Sequence, residues 1–105
     1  MSEITVFELK RRRDAGEPHL LLDVREPDEI AIAAVDGASV IPMGEIPERF
    51  GELPAQTPIV VMCHSGGRSA RVTRFLNANG YSDAVNLAGG IDAWSESIDP
   101  TVPHY

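Results

Sequence analysis

The chain contains one cysteine, Cys63, among 105 residues, so no disulfide can form within it. No apolar run approaches the ~20 residues a membrane-spanning helix needs. Met1-Ser2-Glu3 leads straight into a structured pattern with no feature of a signal peptide. Together these predict a protein of a reducing, cytoplasmic compartment with no membrane partner. Cations are also scarce: 9 Lys and Arg against 16 Asp and Glu give a formal charge of −7. That balance argues against non-specific nucleic-acid binding, which needs a basic face to displace counterions from phosphates. His19 and His104 lie far apart without ligand-like neighbours, so neither a metal site nor a cofactor is expected. Internal repeats and low-complexity segments are absent as well, and nothing in the sequence sets an oligomeric state.

The few cations are clustered. Four form Lys10-Arg11-Arg12-Arg13, and Arg68, Arg71 and Arg74 follow the cysteine. The first group fits a solvated helix face that stabilises its own C-terminus, with partner docking as the other reading. The second could give an acidic protein one locally positive mouth for a small anion.

At this length and with 43% apolar residues, one compact domain can bury a core without staples. It is expected over residues 1–105, with a short tail from about 97. Thr5 and Glu8 have capping-box spacing, so Val6 to Ala15 is predicted as a helix stopped by Gly16, after a short strand at Glu3 to Ile4. Leu20 to Val24 reads as an interior strand, Pro27 as the first turn of a short helix to about Ala33, and Ser39 to Pro42 as a further strand. Glu45 to Phe50 suits a helical turn or two, Leu53 to Pro58 is a connector, and Ile59 to Met62 a buried strand. Val72, Phe75 and Leu76 fall on one face of a helix that Gly80 ends, with Tyr81 placed to pack back on Leu76. Ala84 to Leu87 is the last strand, Gly89-Gly90 a tight turn and Ile91 to Glu96 a short helix. This alternation implies an α/β fold: a parallel sheet of about five strands with helices on both faces, and a ligand site at the strands' carboxyl ends.

Cys63 sits at such an end. A free cysteine there can be no more than a small buried hydrophobe. The residues after it, His64-Ser65-Gly66-Gly67-Arg68-Ser69, suggest more. Glycines let backbone N–H groups converge on one point, and an arginine and a helix N-terminus favour negative charge on sulfur. Three further segments accompany the loop: Leu22-Asp23-Val24-Arg25-Glu26-Pro27, Gly37-Ala38-Ser39-Val40-Ile41-Pro42, and Asn86-Leu87-Ala88-Gly89-Gly90-Ile91-Asp92-Ala93-Trp94.

With these four motifs in order, the sequence resembles the rhodanese-like domains, sulfurtransferases of α/β fold, over essentially its whole length. The resemblance implies a ping-pong reaction at Cys63. The thiolate takes the outer sulfur of a small anionic donor such as thiosulfate or mercaptopyruvate, becomes a persulfide, and passes the sulfur to cyanide, a thiol, thioredoxin or a sulfur-carrier protein. Backbone amides from His64 to Ser69 would hold the terminal sulfur. With no second thiol, the persulfide must discharge onto an outside acceptor. Members specialised for thiosulfate carry basic residues directly after the cysteine, whereas His64-Ser65 stands here and Ser65-Gly66 echoes the mercaptopyruvate pattern. Ala33-Ala34 replaces the family's Gly-His before the Gly37-Ala38 turn. The tail 99–105 resembles that of rhodanese domains attached to sulfur-carrier adenylyltransferases.

Two other functions stay open on the sequence. One is a non-catalytic or regulatory binding module, against which an intact loop counts. The other is a cysteine-dependent phosphatase or arsenate reductase, whose loop is one residue longer than the four that separate Cys63 from Arg68 here. Individual roles are open too. Arg25 can bind an anionic donor or pair with Asp23 or Glu26. His64 can act as a base or lend only its amide. Asp23 can cap N–H groups or transfer protons, and Trp94 is expected to pack beneath the site.

Overall fold

The computed structural model describes residues 2–105. Five strands, β1 (Ser2–Ile4), β2 (Leu20–Asp23), β3 (Ser39–Val40), β4 (Ile59–Met62) and β5 (Val85–Leu87), form one sheet in the order β1-β5-β4-β2-β3. Every pairing in it is parallel. Helices α1 (Val6–Ala15), α2 (Pro27–Ile32), α3 (Ile46–Arg49), α4 (Gly67–Ala78) and α5 (Gly90–Ser97) connect and cover it. The α/β class and five-strand parallel sheet expected from the alternation of elements are what the structure has. No helix among the described residues is long and apolar enough to cross a membrane.

β4 lies between β5 and β2 and is buried along its whole length, which is why its sequence is an unbroken apolar run. Side chains alternate across a strand. Val60 and Met62 therefore enter one core layer, with Val6 and Leu9 of α1 and Ile91 and Trp94 of α5. Ile59, Val61 and Cys63 enter the other, with Ile46 of α3 and Val72 and Leu76 of α4. This parity delivers the thiol to the face that α4 covers. The register sets Asn86 of β5 beside Val61, so its amide belongs to that face as well. Trp94 packs in the opposite layer, with the Arg13 guanidinium 5.7 Å over its ring.

Local signals act mostly as the residue types require. Thr5 caps α1 by accepting the Glu8 N–H at 3.2 Å, and Gly16 ends it in the left-handed region at φ 67°. The capping box is only half made, because the Glu8 carboxylate turns to Arg11 and Arg12 instead of back to Thr5. At the end of α4 the Tyr81 N–H reaches the Leu76 carbonyl at 3.0 Å past Gly80, and both side chains join the α4-side core. The region around Glu45 to Phe50 is α3 flanked by two 3-10 turns, Met43–Glu45 and Phe50–Glu52; Pro47, in the first turn of α3, lacks the N–H that would carry an α-helix back into the Met43 turn. β2, β3 and β5 are each one or two residues shorter than expected, and Gly89-Gly90 opens α5 instead of preceding it.

Lys10 to Arg13 form the solvated face of α1. Lys10 pairs with Asp14, Arg11 with Glu8 and Glu17, and Arg12 with Glu8, while Arg13 donates to the Asp36 carbonyl.

Gly90 is the tightest backbone approach. Its φ is +59°, and a Cβ there would stand 2.6 Å from the His64 carbonyl oxygen. Gly90→Ala is expected to cost about 3 kcal/mol in urea unfolding. Gly51→Ala, facing open space, should stay within ~0.5 kcal/mol of the parent and serves as the control.

Candidate active site

The loop from Cys63 to Gly66 joins the carboxyl end of β4 to the N-terminus of α4. Its shape is set from outside. Ile91 and Asp92, at the start of α5, donate their N–H groups to the carbonyls of Cys63 and His64 at 2.9 and 3.0 Å. Because each trans peptide points its N–H opposite its C=O, the amides of His64 and Ser65 turn away from α5. Gly66, at φ +114°, completes the turn and donates its N–H to Cys63 Sγ at 3.1 Å.

The Ser69 hydroxyl lies 3.3 Å from Sγ and 2.5 Å from Asn86 Oδ1. One hydroxyl carries one proton, so the protonation state of sulfur decides its direction. A thiol can donate to Ser69 while Ser69 donates to Asn86; a thiolate accepts the serine proton itself. Asn86 is held for this by donating Nδ2 to the Gly66 carbonyl at 3.3 Å. Burial pushes the Cys63 thiol pKa up, but the Ser69 hydroxyl and the amides of Ser69, Gly66 and Ser65 outweigh it, and the net direction is down. Cys63 itself is 1% exposed, so its charge is stabilised by these groups more than by bulk water.

Arg68 lies in the first turn of α4, and its two terminal nitrogens grip the Glu29 carboxylate of α2 at 2.6 and 2.8 Å. The cation is thus paired with a carboxylate within the protein itself. Glu29 is also the third residue of a capping box at the start of α2, where its Oε1 accepts the Glu26 N–H at 3.1 Å. The Arg68 fork holds the Glu29 carboxyl down at about 2, against burial and with help from Tyr105.

Arg25 is fully buried and forms an ion pair with Asp23, from Nη2 to Oδ2 at 2.7 Å and from Nε to Oδ1 at 2.9 Å. Its remaining donors go to the Ala33 carbonyl and the Tyr105 hydroxyl. Of the readings open to Arg25, the structure has the pair with Asp23, and Asp23 also accepts the Arg25 N–H. The hydrogen-bond partners of Arg25 lie outside the cysteine loop. Within the loop, the His64 ring is stacked on Tyr105 at a centroid distance of 4.0 Å and an angle of 11°.

Four side-chain roles are not legible in the local motifs: those of Ser69 and Asn86, although both residues stand within motifs, and those of Glu29 and Tyr105, which stand outside them. Asn86 leaves the faintest trace, as the one polar residue in β5, on the same parity as Ala84. A second polar cluster, Ser95, His104 and Asp92, has the order of a hydroxyl–imidazole–carboxylate relay. The Ser95 hydroxyl, however, donates to the Val102 carbonyl and has no proton to offer the imidazole, so the cluster is a fastening for the segment after α5.

The model of the rhodanese-like domain family matches residues 5–97. The chain belongs to the rhodanese-like domain family. A protein named sulfurtransferase from Allochromatium vinosum is 38% identical over 97% of this chain and 95% of its own length. A maize protein named adenylyltransferase and sulfurtransferase MOCS3-2 is 35% identical over 99% of this chain, which spans only 23% of that relative. Among solved structures, a rhodanese-like domain protein from Staphylococcus aureus matches with a TM-score of 0.86 at 35% identity, covering 100% of this chain and 99% of the other.

Two outcomes are expected of this rhodanese-like site. Ser69→Ala should raise the midpoint of the pH profile for Cys63 alkylation by iodoacetamide by about one pH unit, the worth of a hydrogen bond to a charged acceptor. A carboxylate depressed in the folded state stabilises the fold above its unfolded pKa, here 4.5, and loses that contribution as pH falls toward about 2. Glu29→Gln should therefore be less stable than the parent by about 1 kcal/mol at pH 7, with the gap closing between pH 4.5 and 2 in urea titrations.

Proposed function

We propose that this rhodanese-like domain is a sulfurtransferase in which Cys63 is the nucleophile. The observation that carries the reading is the cradle around its sulfur: the Gly66 amide at 3.1 Å and the Ser69 hydroxyl at 3.3 Å, with a thiol pKa directed downward. In the first half-reaction the Cys63 thiolate attacks the outer sulfur of a small anionic donor. With thiosulfate, a new S–S bond forms to Cys63, the donor's S–S bond breaks, and sulfite leaves with the electron pair. In the second, a nucleophilic acceptor takes the outer sulfur and Cys63 leaves as thiolate. Two transfers replace one, and the amides of residues 64 to 69 stabilise anionic sulfur in both. The acceptor class is a thiol, cyanide or a sulfur-carrier protein. The carrier gains support from a Bacillus subtilis relative named putative sulfur carrier protein YrkF, 34% identical over 89% of this chain, which spans 50% of that relative.

Arg68 favours this reading over phosphate chemistry. Two of its guanidinium N–H groups are on Glu29, so its charge already has a partner at the loop. His64 contributes its amide in this scheme, since its ring is engaged with Tyr105.

Incubation with thiosulfate or mercaptopyruvate should add the mass of one sulfur atom to the protein, and cyanide or dithiothreitol should remove it. Cys63→Ser should take up none. A wild-type protein that gains no sulfur, or a Cys63→Ser protein that gains the same adduct, would refute the proposal. So would release of phosphate from an aryl phosphate by wild type and not by Cys63→Ser.

A further inference from the structure

Segment 99–105, after α5, reaches back to the cysteine loop from the far end of the sequence. Beside it lies an open pocket of about 280 Å³, lined by Trp94, Val102 and Pro103 together with Arg13, Val35 and Asp36. Buried Val102 and the fastening of His104 to Ser95 and Asp92 bring the segment back to the loop, and there the Tyr105 side chain makes contacts of its own. Its ring lies flat on His64, the residue directly after Cys63. Its hydroxyl accepts from Arg25 Nη1 at 3.0 Å and donates to Glu29 Oε2 at 2.8 Å. Glu29 in turn holds both terminal nitrogens of Arg68.

The polarity of this chain is consistent throughout. Arg25 can only donate, the phenol has one proton and passes it on, and the ionised Glu29 can only accept, from Tyr105 on one side and Arg68 on the other. The order is stable at neutral pH, since burial and the Glu29 charge keep the phenol protonated while Arg25 opposes them. Arg25 cannot drift, being fixed by Asp23 and the Ala33 carbonyl and lying 5.7 Å over the Tyr105 ring. The loop is therefore gripped near both ends by one side chain: at His64 directly and at Arg68 through one carboxylate.

We propose that Tyr105 is a positioning residue for the cysteine loop, fixing His64 by stacking and Arg68 through Glu29, and thereby setting how tightly an anionic sulfur donor is held. The donor half of this statement rests on the sulfurtransferase reading; the positioning half concerns the loop alone. Stacking fixes the His64 ring, and with it the peptide between His64 and Ser65 whose N–H faces the sulfur. The hydroxyl fixes the carboxylate that decides how much of the Arg68 charge an incoming anion meets. Tyr105 touches neither sulfur nor donor and acts only through these two residues.

Tyr105→Ala and Tyr105→Phe in the full chain separate the two contacts. Tyr105→Ala is expected to move the midpoint of the Cys63 alkylation profile upward and to raise KM for thiosulfate about fivefold, with kcat within about twofold of the parent. Tyr105→Phe keeps the ring, so it should restore the alkylation midpoint while leaving KM raised. A purely structural tyrosine would lower Tm in both variants and leave midpoint and KM at parental values, which would overturn the proposal. If the wild-type protein takes up no sulfur while the midpoint still shifts in Tyr105→Ala and recovers in Tyr105→Phe, the transferase reading fails and the positioning role stands.

Discussion

The site depends on two backbone hydrogen bonds, from Ile91 and Asp92 at the start of α5 to the carbonyls of Cys63 and His64. The first N–H groups of a helix have no partner within it and must find one outside. Here the cysteine loop supplies those partners, so one interaction caps α5 and orients the loop. Turning two carbonyls outward toward α5 turns the following amides inward, and the sulfur acquires donors without any side chain being committed. The approach is so close that the residue at position 90 can have no side chain, which ties Gly90 in one motif to Cys63 in another.

A second constraint is the buried pair of Asp23 and Arg25. Removing two charges from water is costly, and the return depends on geometry and on every remaining donor being used. Asp23 accepts from the Arg25 N–H, Nε and Nη2, the Ala33 carbonyl accepts from Nη2 as well, and the Tyr105 hydroxyl accepts from Nη1, so every nitrogen of the guanidinium has a partner. The guanidinium thereby ties the end of β2, the end of α2 and segment 99–105 to one point. An apolar pair of equal volume could fill the same space, but it would offer Tyr105 nothing to accept from. The hydrogen bonds that link Arg25 to Arg68 run through Tyr105 and Glu29.

How far the sequence reveals this site depends on the distance over which each signal acts. The parallel sheet, the caps of α1 and α4 and the strand that ends in Cys63 are legible, because period-two burial and helix stops are encoded within a few residues. The diversion of Glu8 from its capping box already requires knowing that Arg11 and Arg12 compete for it. Arg25 has two acidic neighbours in sequence, and only the strand's pleat and the position of Ala33 select Asp23. Tyr105 stands 80 residues from Arg25 and 76 from Glu29, and no local pattern connects them. Ser69 is visible as part of the loop, but the role of its hydroxyl emerges only once β5 places Asn86 beside it.

On the proposed sulfurtransferase reading, Glu29 explains how a loop with an arginine can suit a monatomic cargo. The persulfide of that scheme carries the same charge as the thiolate, displaced outward by one S–S bond. The donors that stabilise one must also serve the other, and fixed amides spaced along a turn can do so without rearranging. A free guanidinium would draw the charge outward and favour larger, more highly charged anions. With Arg68 held in a fork by Glu29, the permanent cation is balanced in place, and the dominant attraction at the sulfur comes from neutral donors at Gly66 and Ser69. Neutral donors bind an anionic sulfur without trapping it, and release to an acceptor is the half of the cycle that excess positive charge would slow.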